Sequence, residues 1–362
     1  MTFTNDIQHN DTANILQSRT ESKTTFAGLS VILRPTETSS TPISLSEWLP
    51  ELDTAPIWVP LRQVDGVTKI MPLLPEAILY ENLMRSLCLQ IAENNLVQWR
   101  EKSYEVGGVE VNSHSLHTIQ VPIYTDKPLP PTLGRAIHAL CFRWFANTNP
   151  ELAEKLHLQE NLPMALGLKY CSPKKMLLKI SLLQKELLAP LLWGTSVDLG
   201  NEIILAGIVC RLGDSIEIVQ ANTFEKLVQV TPQSSIDLEF LTPTSFKQGK
   251  NIQPFPLPEL VFNGLLRRWN IFAPEKLQFP SIEWNGIVSS YELKTYAMKM
   301  EGGAEIGAEG FIRYRFTDTE QARIATTLAH FACFSGIGRK TAMGMGQVVM
   351  KKNSGVRIQE SE

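Results

Sequence analysis

The chain has few cysteines and no long apolar run, and these absences argue against several classes of protein. Its five cysteines are scattered, odd in number and never spaced as C-x-x-C. That usage argues against a disulfide framework and against a zinc site. No apolar run approaches the roughly 20 residues that a helix needs to cross a bilayer. We therefore expect no membrane partner, and a reducing, cytoplasmic location.

The chain also lacks an excess of basic residues. The formal net charge is −3 over 362 residues, so binding of a nucleic acid must depend on a local basic patch. Residues 1–25 are polar and lack the charged-then-apolar order of a signal peptide, which predicts a disordered tail. The remaining length is enough for roughly two or three domains, each with its own core.

A glycine-rich segment near the C-terminus is the most informative local pattern. Between Gly336 and Gly346, two Gly-apolar-Gly triplets flank five residues, which include Arg339 and Lys340. Successive N–H groups of such a backbone can face an anion, and the two cations add positive charge. The order helix, loop, strand differs from that of a Walker loop or a dinucleotide-binding fingerprint. Taken alone, the pattern is more typical of a helix C-cap followed by a tight turn.

The second half of the chain predicts the element order βαββαβ. A strand is expected at 237–241, a helix at 259–270, a hairpin with arms at 288–300 and 307–316 around Gly302 and Gly303, and a helix that ends near 334. Thr317 or Asp318 is the expected cap of that last helix. The glycine-rich loop and a final strand complete the order of a ferredoxin-like domain, which RNA-recognition motifs share.

The first half shows the same order less cleanly. A strand is expected at 117–123 and a helix at 133–146. Asn149 as N-cap and Pro150 at the first position predict a second, short helix that ends near His157. We predict an α+β protein with tandem ferredoxin-like domains at 115–232 and 233–354, an N-terminal accessory region at 26–114 of undefined role, and a tail at 355–362. A cleft between the two domains would suit an extended single strand.

Three stretches together carry a resemblance to a known family. They are the glycine-rich segment, residues 240–247 with 260–269, and residues 134–140 leading into 149–157. In this order they resemble the CRISPR-associated endoribonucleases that cut precursor CRISPR RNA within its repeats, members of the repeat-associated mysterious protein (RAMP) superfamily. The resemblance covers roughly residue 115 to the C-terminus, so the region before it lies outside.

The resemblance implies metal-independent RNA cleavage. The sequence has no dense carboxylate cluster, no H-E-x-x-H and no Asp-x-Asp pair of the kind expected in a two-metal nuclease. We therefore expect no metal and no cofactor. RNA supplies its own nucleophile, the 2′-hydroxyl, so the protein needs a base, an acid and cations for the phosphorane. The products would carry a 5′-hydroxyl and a 2′,3′-cyclic phosphate or 3′-phosphate.

Two histidines are candidate catalytic residues. His157 ends a short helix, where the negative end of the helix dipole favours the imidazolium, and the resemblance places it at the family's catalytic histidine. A surface histidine that caps the helix is the alternative. His138 lies among apolar residues of the preceding helix, where a core histidine is the alternative. Some family members have a tyrosine where this chain has Phe142, and some have a lysine where it has Pro163. Lys169, Lys174 or Lys175 could substitute for that lysine only if the loop folds back.

We expect no catalytic role for the histidines discussed next. We expect His114 and His117, at the start of a strand, to be exposed to solvent, and His330 to serve packing.

The predicted RNA-binding residues are those of the loop and two further cations. They are Gly336, Gly338, Arg339, Lys340, Thr341, Gly344 and Gly346, with Lys247 and Arg268. Lys250 and Arg267 are secondary candidates, and Phe246 is expected in the core rather than stacked on a base.

The resemblance names CRISPR repeat RNA, as precursor crRNA, as the partner. Subunits of a CRISPR effector complex and a second copy of the chain are further candidate partners. The main alternative is a non-catalytic RAMP subunit that holds crRNA inside an effector complex. A metabolic enzyme whose loop grips a nucleotide is a third hypothesis, which the helix-loop-strand order disfavours.

Overall fold

The structure is a computed structural model that describes residues 28–37, 41–50, 52–61, 68–74, 79–130, 133–300 and 303–351. The tails predicted at 1–25 and 355–362 lie outside these ranges, as does Gly302 of the predicted hairpin. The described strands form two six-stranded sheets, one four-stranded sheet and a two-stranded hairpin. We call the parts built on the three large sheets the N-terminal, middle and C-terminal units.

The N-terminal unit is a mixed sheet with one helix. Its strands lie in the order β2-β5-β6-β1-β4-β3. Leu29, Val31 and Leu33 alternate inward from β1 and pack with Leu83 and Leu87 of α1. The elements are β1 (Gly28–Pro35), β2 (Ile43–Ser44), β3 (Ile57–Leu61), β4 (Thr68–Leu73), α1 (Tyr80–Ala92), β5 (Val97–Trp99) and β6 (Lys102–Asn112).

The middle unit has the ferredoxin-like order. Its sheet runs β10-β11-β7-β9-β8, with β12 also paired to β7. The side chain of Asn149 accepts a hydrogen bond from the N–H of Leu152, which starts α3 as predicted. The elements are β7 (Leu116–Thr125), α2 (Gly134–Thr148), α3 (Pro150–Leu158), β8 (Met164–Ser172), β9 (Lys175–Leu182), α4 (Leu188–Ser196), β10 (Glu202–Leu205), β11 (Ile208–Leu212), β12 (Glu217–Asn222) and α5 (Phe224–Leu227).

The C-terminal unit repeats this order with fewer strands. Its sheet runs β16-β17-β13-β18, and Asp318 caps α7 by accepting from the N–H of Gln321. The prediction of tandem ferredoxin-like folds is confirmed. The elements are β13 (Ser235–Thr244), β14 (Phe246–Gln248), β15 (Asn251–Gln253), α6 (Pro258–Phe272), β16 (Ile287–Met300), β17 (Gly303–Arg315), α7 (Thr319–Ser335) and β18 (Val348–Met350).

Buried side chains join the three units. Val59 of β3 and Met71 of β4 share one core with Leu188 and Leu191 of α4, so the N-terminal sheet packs on the helices of the middle unit. Leu116 of the middle unit belongs to the core of the C-terminal unit. No helix among the described residues is long and apolar enough to cross a membrane.

Candidate functional site

A cleft of about 800 Å³ lies where the middle and C-terminal units meet. Residues 160–162, which follow α3, form its wall on the middle unit, and α6 and the glycine-rich loop form the opposite wall. Glu160 and Glu259 are the acidic residues that line it. The cleft brings together cations that lie far apart in sequence: Lys247, Arg267, Arg268, Arg339 and Lys340. Lys250 lies exposed in the turn between β14 and β15.

The backbone of the glycine-rich loop is largely bonded within the protein. The N–H of Gly336 donates to Ala332 O at 2.8 Å, that of Arg339 to Ser245 O at 3.0 Å, and that of Gly346 to Pro243 O at 3.1 Å. Ile337 N–H donates to Gly346 O at 2.8 Å and so joins the two ends of the loop. The expectation of a row of open amides facing an anion is therefore wrong at these positions.

Positive φ angles, with close packing at Gly346, account for the second Gly-apolar-Gly triplet: Gly344 has φ +94° and open space where a Cβ would lie. Gly346 has φ +70°, and a Cβ there would lie 2.0 Å from Ile337 O. Gly344 and Gly346 are both buried. On the other side, a Cβ at Gly134 would lie 2.3 Å from Met343 O, so the start of α2 abuts the single turn Thr341–Met343. The loop is thus a joint between the two ferredoxin-like units.

Arg268 binds across the same joint. Its guanidinium donates to Thr341 Oγ1 at 2.7 Å, to Leu162 O at 3.0 Å and to Met164 O at 3.2 Å. Burial, with the neighbouring charge of Arg267, lowers the pKa of Arg268 to about 10, so it stays charged near neutral pH. Arg268 therefore ties α6, the loop and the start of β8 together. Its predicted contact with RNA stays a prediction.

Glu305 on β17 holds the two leading cations. Its carboxylate lies 2.8 Å from Arg339 Nη1 and 2.5 Å from Lys340 Nζ, and it accepts from Ser245 Oγ at 2.7 Å. Glu305 is 8% exposed. Burial would raise the pKa of Glu305, but hydrogen bonds from Lys340 and Ser245 and the charges of Arg339 and Lys340 hold it below its ordinary value. The three charged groups together carry one net positive charge.

Sequence reasoning missed Glu305, although a signal existed. The residue lies at an inward position of β17, between exposed Ala304 and Ile306. An acidic side chain on the buried face of a strand needs a partner of opposite charge.

The two candidate catalytic histidines both contact one aromatic ring, that of Phe142. The His138 and Phe142 ring centroids are 4.6 Å apart, and the Phe142 and His157 centroids are 5.4 Å apart, edge to face. His157 is exposed in the last turn of α3, whereas His138 is half-buried on α2. Burial and then the charge of His157 lower the pKa of His138. His138 is therefore neutral near pH 7. We call these three residues the histidine cluster.

The histidine cluster lies on helices that lead to the cleft wall and to the glycine-rich loop. His138 lies one helical turn after Gly134, which contacts the glycine-rich loop. Glu160, three residues after His157, lines the cleft itself. The roles of His138 and His157 in catalysis stay a prediction.

The remaining histidines differ in their surroundings. His117 is fully buried, so the expectation of exposure is wrong. Its Nε2 lies 2.8 Å from Asn112 Nδ2, and burial, with the charge of His114, lowers its pKa to about 4. His114 and His330 are half-buried. Phe246 lies in the core as expected. Within the described ranges, no group of three or more His, Cys, Asp or Glu side chains is arranged to hold a metal ion.

Comparison with known proteins identifies the same family that the motifs indicate. The family model for CRISPR-associated endoribonuclease Cas6 matches residues 238–348. Curated CRISPR-associated endoribonucleases Cas6 from two strains of Mycobacterium tuberculosis are 29% identical over 141 residues. That alignment covers 37% of this chain and 45% of each relative, so it spans less than half the length of the curated relatives.

Solved structures agree over a longer part of the chain. A product complex of Thermus thermophilus Cas6 is 25% identical with a TM-score of 0.58, and the match covers 66% of this chain and 100% of that one. A second Cas6 product complex is 26% identical with a TM-score of 0.55, over 66% of this chain and 99% of the other. The resemblance to the CRISPR-associated endoribonucleases is therefore confirmed.

Proposed function

We propose that this chain is an endoribonuclease that binds CRISPR repeat RNA and cuts precursor crRNA once within each repeat. The observation that carries the proposal is the cleft lined by five cations, whose wall at residues 160–162 directly follows the helix that carries His157. The names of the relatives and the product complexes among the solved structures support the same activity. The two units on either side of the cleft give an extended strand a continuous surface.

The chemistry we propose uses the RNA's own 2′-hydroxyl as nucleophile. His138, neutral near pH 7, accepts the proton of that hydroxyl. His157, at the negative end of α3, donates a proton to the 5′-oxygen that leaves. Arg339 and Lys340 face the charge that builds on the phosphorane. The products carry a 2′,3′-cyclic phosphate (or a 3′-phosphate) and a 5′-hydroxyl, and no step requires a metal ion.

A non-catalytic subunit that holds crRNA is the second candidate function. The observation that favours it is the pair Phe142 and Pro163 at positions where the family resemblance expects a tyrosine and a lysine. Neither side chain can transfer a proton. This hypothesis predicts binding of repeat RNA without cutting.

The test compares cutting and binding of labelled repeat RNA in EDTA. The His157→Ala and His138→Ala variants should each cut about 10²- to 10⁴-fold more slowly, since each loses one proton transfer, with binding retained. Lys155→Ala, on the exposed face of the same helix as His157, is the matched control and should cut normally. RNA with a single 2′-deoxy at the cut site should resist cutting.

The outcomes separate the candidate functions. Unchanged cutting by His157→Ala would remove that residue from the mechanism, and cutting of the 2′-deoxy RNA would exclude attack by the 2′-hydroxyl. Activity that EDTA abolishes would exclude the metal-independent route. Binding without cutting by the wild-type protein would favour the non-catalytic subunit.

Further partners follow from the same proposal. We propose that the protein acts in the cytoplasm and delivers its product to subunits of a CRISPR effector complex, alone or as a homodimer. Light scattering of the protein with and without repeat RNA gives its oligomeric state directly.

A further inference from the structure

A second cavity, of about 380 Å³, lies in the N-terminal unit. Two tryptophans, Trp58 of β3 and Trp99 of β5, line it and are only half-buried. Large aromatic rings left partly in water often mark a binding surface. The other described lining residues combine small apolar and polar side chains: Ser44, Leu45, Ser46, Leu49, Ala55, Pro56, Gln98 and Arg100.

A cation is fixed over one of these rings. Arg100 Cζ lies 4.7 Å from the ring centroid of Trp99. Arg100 Nη2 donates to Asp214 O at 3.3 Å, and its Nη1 lies 3.8 Å from Asp214 Oδ2, so a loop of the middle unit holds it. The guanidinium is thus positioned before any ligand arrives, although Arg100 remains exposed.

The backbone beneath this cation adopts an uncommon conformation. Arg100 and Glu101 form the two-residue turn between β5 and β6, with φ +48° and +64°. Glycine and asparagine are the usual residues of such turns, and other side chains there are strained. Strain of this kind is commonly kept where it serves a site. Here it places Arg100 beside Trp99.

A third tryptophan lies behind the cavity. Trp48 is fully buried, and its ring centroid is 6.1 Å from that of Trp58. Among the described residues its indole N–H has no hydrogen-bond partner. An orphaned donor in a core is costly. The wall behind Trp58 is therefore aromatic and carries a polar group that the fold leaves unpaired among the described residues.

We propose that this cavity binds a nucleobase of single-stranded RNA that flanks the repeat. Half-exposed tryptophans offer the flat faces on which any base can stack, and Arg100 adds a cation for the backbone. Gln98 and Ser46 supply amide and hydroxyl groups for the edge of a base. The inference rests on the proposed function, since that function makes RNA the ligand of this chain.

The position of this cavity in the fold favours RNA over a peptide as its ligand. The N-terminal sheet packs on α4, and α4 packs on α2, which carries His138 of the histidine cluster. The cavity and the cleft therefore belong to one connected body, and the inference is that a single strand engages both. Two linked contacts on one ligand gain affinity through effective concentration.

The test measures binding of non-cleavable repeat RNA, with a 2′-deoxy at the cut site, with and without a single-stranded flank. With a flank of about ten adenosines, wild-type affinity should rise about 5- to 150-fold for one stacked base. Trp99→Ala should lose this gain, yet bind the bare non-cleavable repeat normally and cut the bare repeat that carries the 2′-hydroxyl at the wild-type rate. Tyr124→Ala is the matched control, because Tyr124 is an exposed ring beneath Lys175 in the middle unit. It should keep the gain.

A second measurement follows the fluorescence of the tryptophan rings that line the cavity. Oligoadenosine without any repeat sequence should quench tryptophan fluorescence of the wild-type protein and quench that of Trp99→Ala less. Equal wild-type affinity for flanked and bare RNA would overturn the inference, as would a gain that survives in Trp99→Ala and in Trp58→Ala. Failure to bind the bare repeat would instead contradict the proposed function.

Discussion

Replacing Glu305 with glutamine should strengthen the salt dependence of RNA binding. Glu305 is ionised at neutral pH because hydrogen bonds and the charges of Arg339 and Lys340 outweigh its burial. It therefore offsets one of the two positive charges that the loop presents to the cleft. Glu305→Gln keeps the shape and a hydrogen-bond acceptor for Ser245, and releases that charge.

The size of the expected change in salt dependence follows from the release of counterions when RNA binds. For a single strand, the slope of log K against log salt changes by about 0.7 for each phosphate neutralised. One additional free cation should therefore steepen the slope by about 0.7. At low salt the gain in affinity should be modest, because a partly exposed ion pair contributes about 0.2–1 kcal/mol, at most about fivefold in affinity.

The assay is a salt titration of binding to non-cleavable repeat RNA. Glu292→Gln is the matched control, because it removes the same charge from an exposed position of the neighbouring strand β16. Its slope should stay close to that of the wild type. Replacing Arg339 and Lys340 together should weaken binding and flatten the slope, and adding Glu305→Gln to that double variant should change little.

A flatter or unchanged slope for Glu305→Gln would refute this reasoning. Weaker binding with an unchanged slope would mean that Glu305 acts by holding the loop in place. An equal change in Glu292→Gln would mean that overall charge, rather than contact with Arg339 and Lys340, sets the effect.

Two further predictions concern stability. Arg268→Ala should lower the free energy of unfolding by about 2–4 kcal/mol, since it removes three charge-assisted hydrogen bonds across the joint. In the same urea titration, Arg267→Ala, at an exposed position, should change the free energy of unfolding by less than about 0.5 kcal/mol. Equal losses in the two variants would contradict the role of Arg268. The pKa of His117 is about 4 in the folded protein against 6.5 as its ordinary value, so stability is full above pH 6.5 and falls by about 2 kcal/mol by pH 5. His117→Leu should remove this part of the pH dependence, and an unchanged pH profile would show that other groups cause it.

The ferredoxin-like units could be predicted because their signals are local. Asn149 with Pro150 starts α3, and Asp318 starts α7, where the side-chain oxygens cap the first turn. The alternation of β13 and the glycines of the hairpin gave the remaining order. Each signal lies within a few residues of the element that it specifies, so these elements could be predicted without knowledge of any tertiary contact.

The N-terminal sheet could not be predicted in the same way. Its strands β3 and β4 carry Pro60 and Pro72, which blur the strand pattern. Its centre is formed by β1, which pairs with β6 far along the chain. Only such long-range pairing makes these short segments a sheet.

The site could be predicted only in part, because the contacts within it also depend on residues that are far apart in sequence. The motifs gave the cations and both histidines, but their partners depend on register and packing. Glu305 meets Arg339 because β17 pairs with β13, which precedes Ser245. His117 is buried because β7 lies between β9 and β12. Neither neighbourhood is visible in the sequence around these residues.

In the proposed mechanism, Phe142 explains why the acid and base roles fall to the two histidines of the cluster. Its ring contacts both His138 and His157 and has no ionisable group, so it cannot itself transfer a proton. A charge on His157 lowers the pKa of His138, which burial has already lowered. Of the two imidazoles, half-buried His138 is therefore the one held neutral near pH 7. Environments that separate two similar groups in this way assign one as acid and the other as base. A phenylalanine at this position therefore leaves both proton transfers to the two histidines.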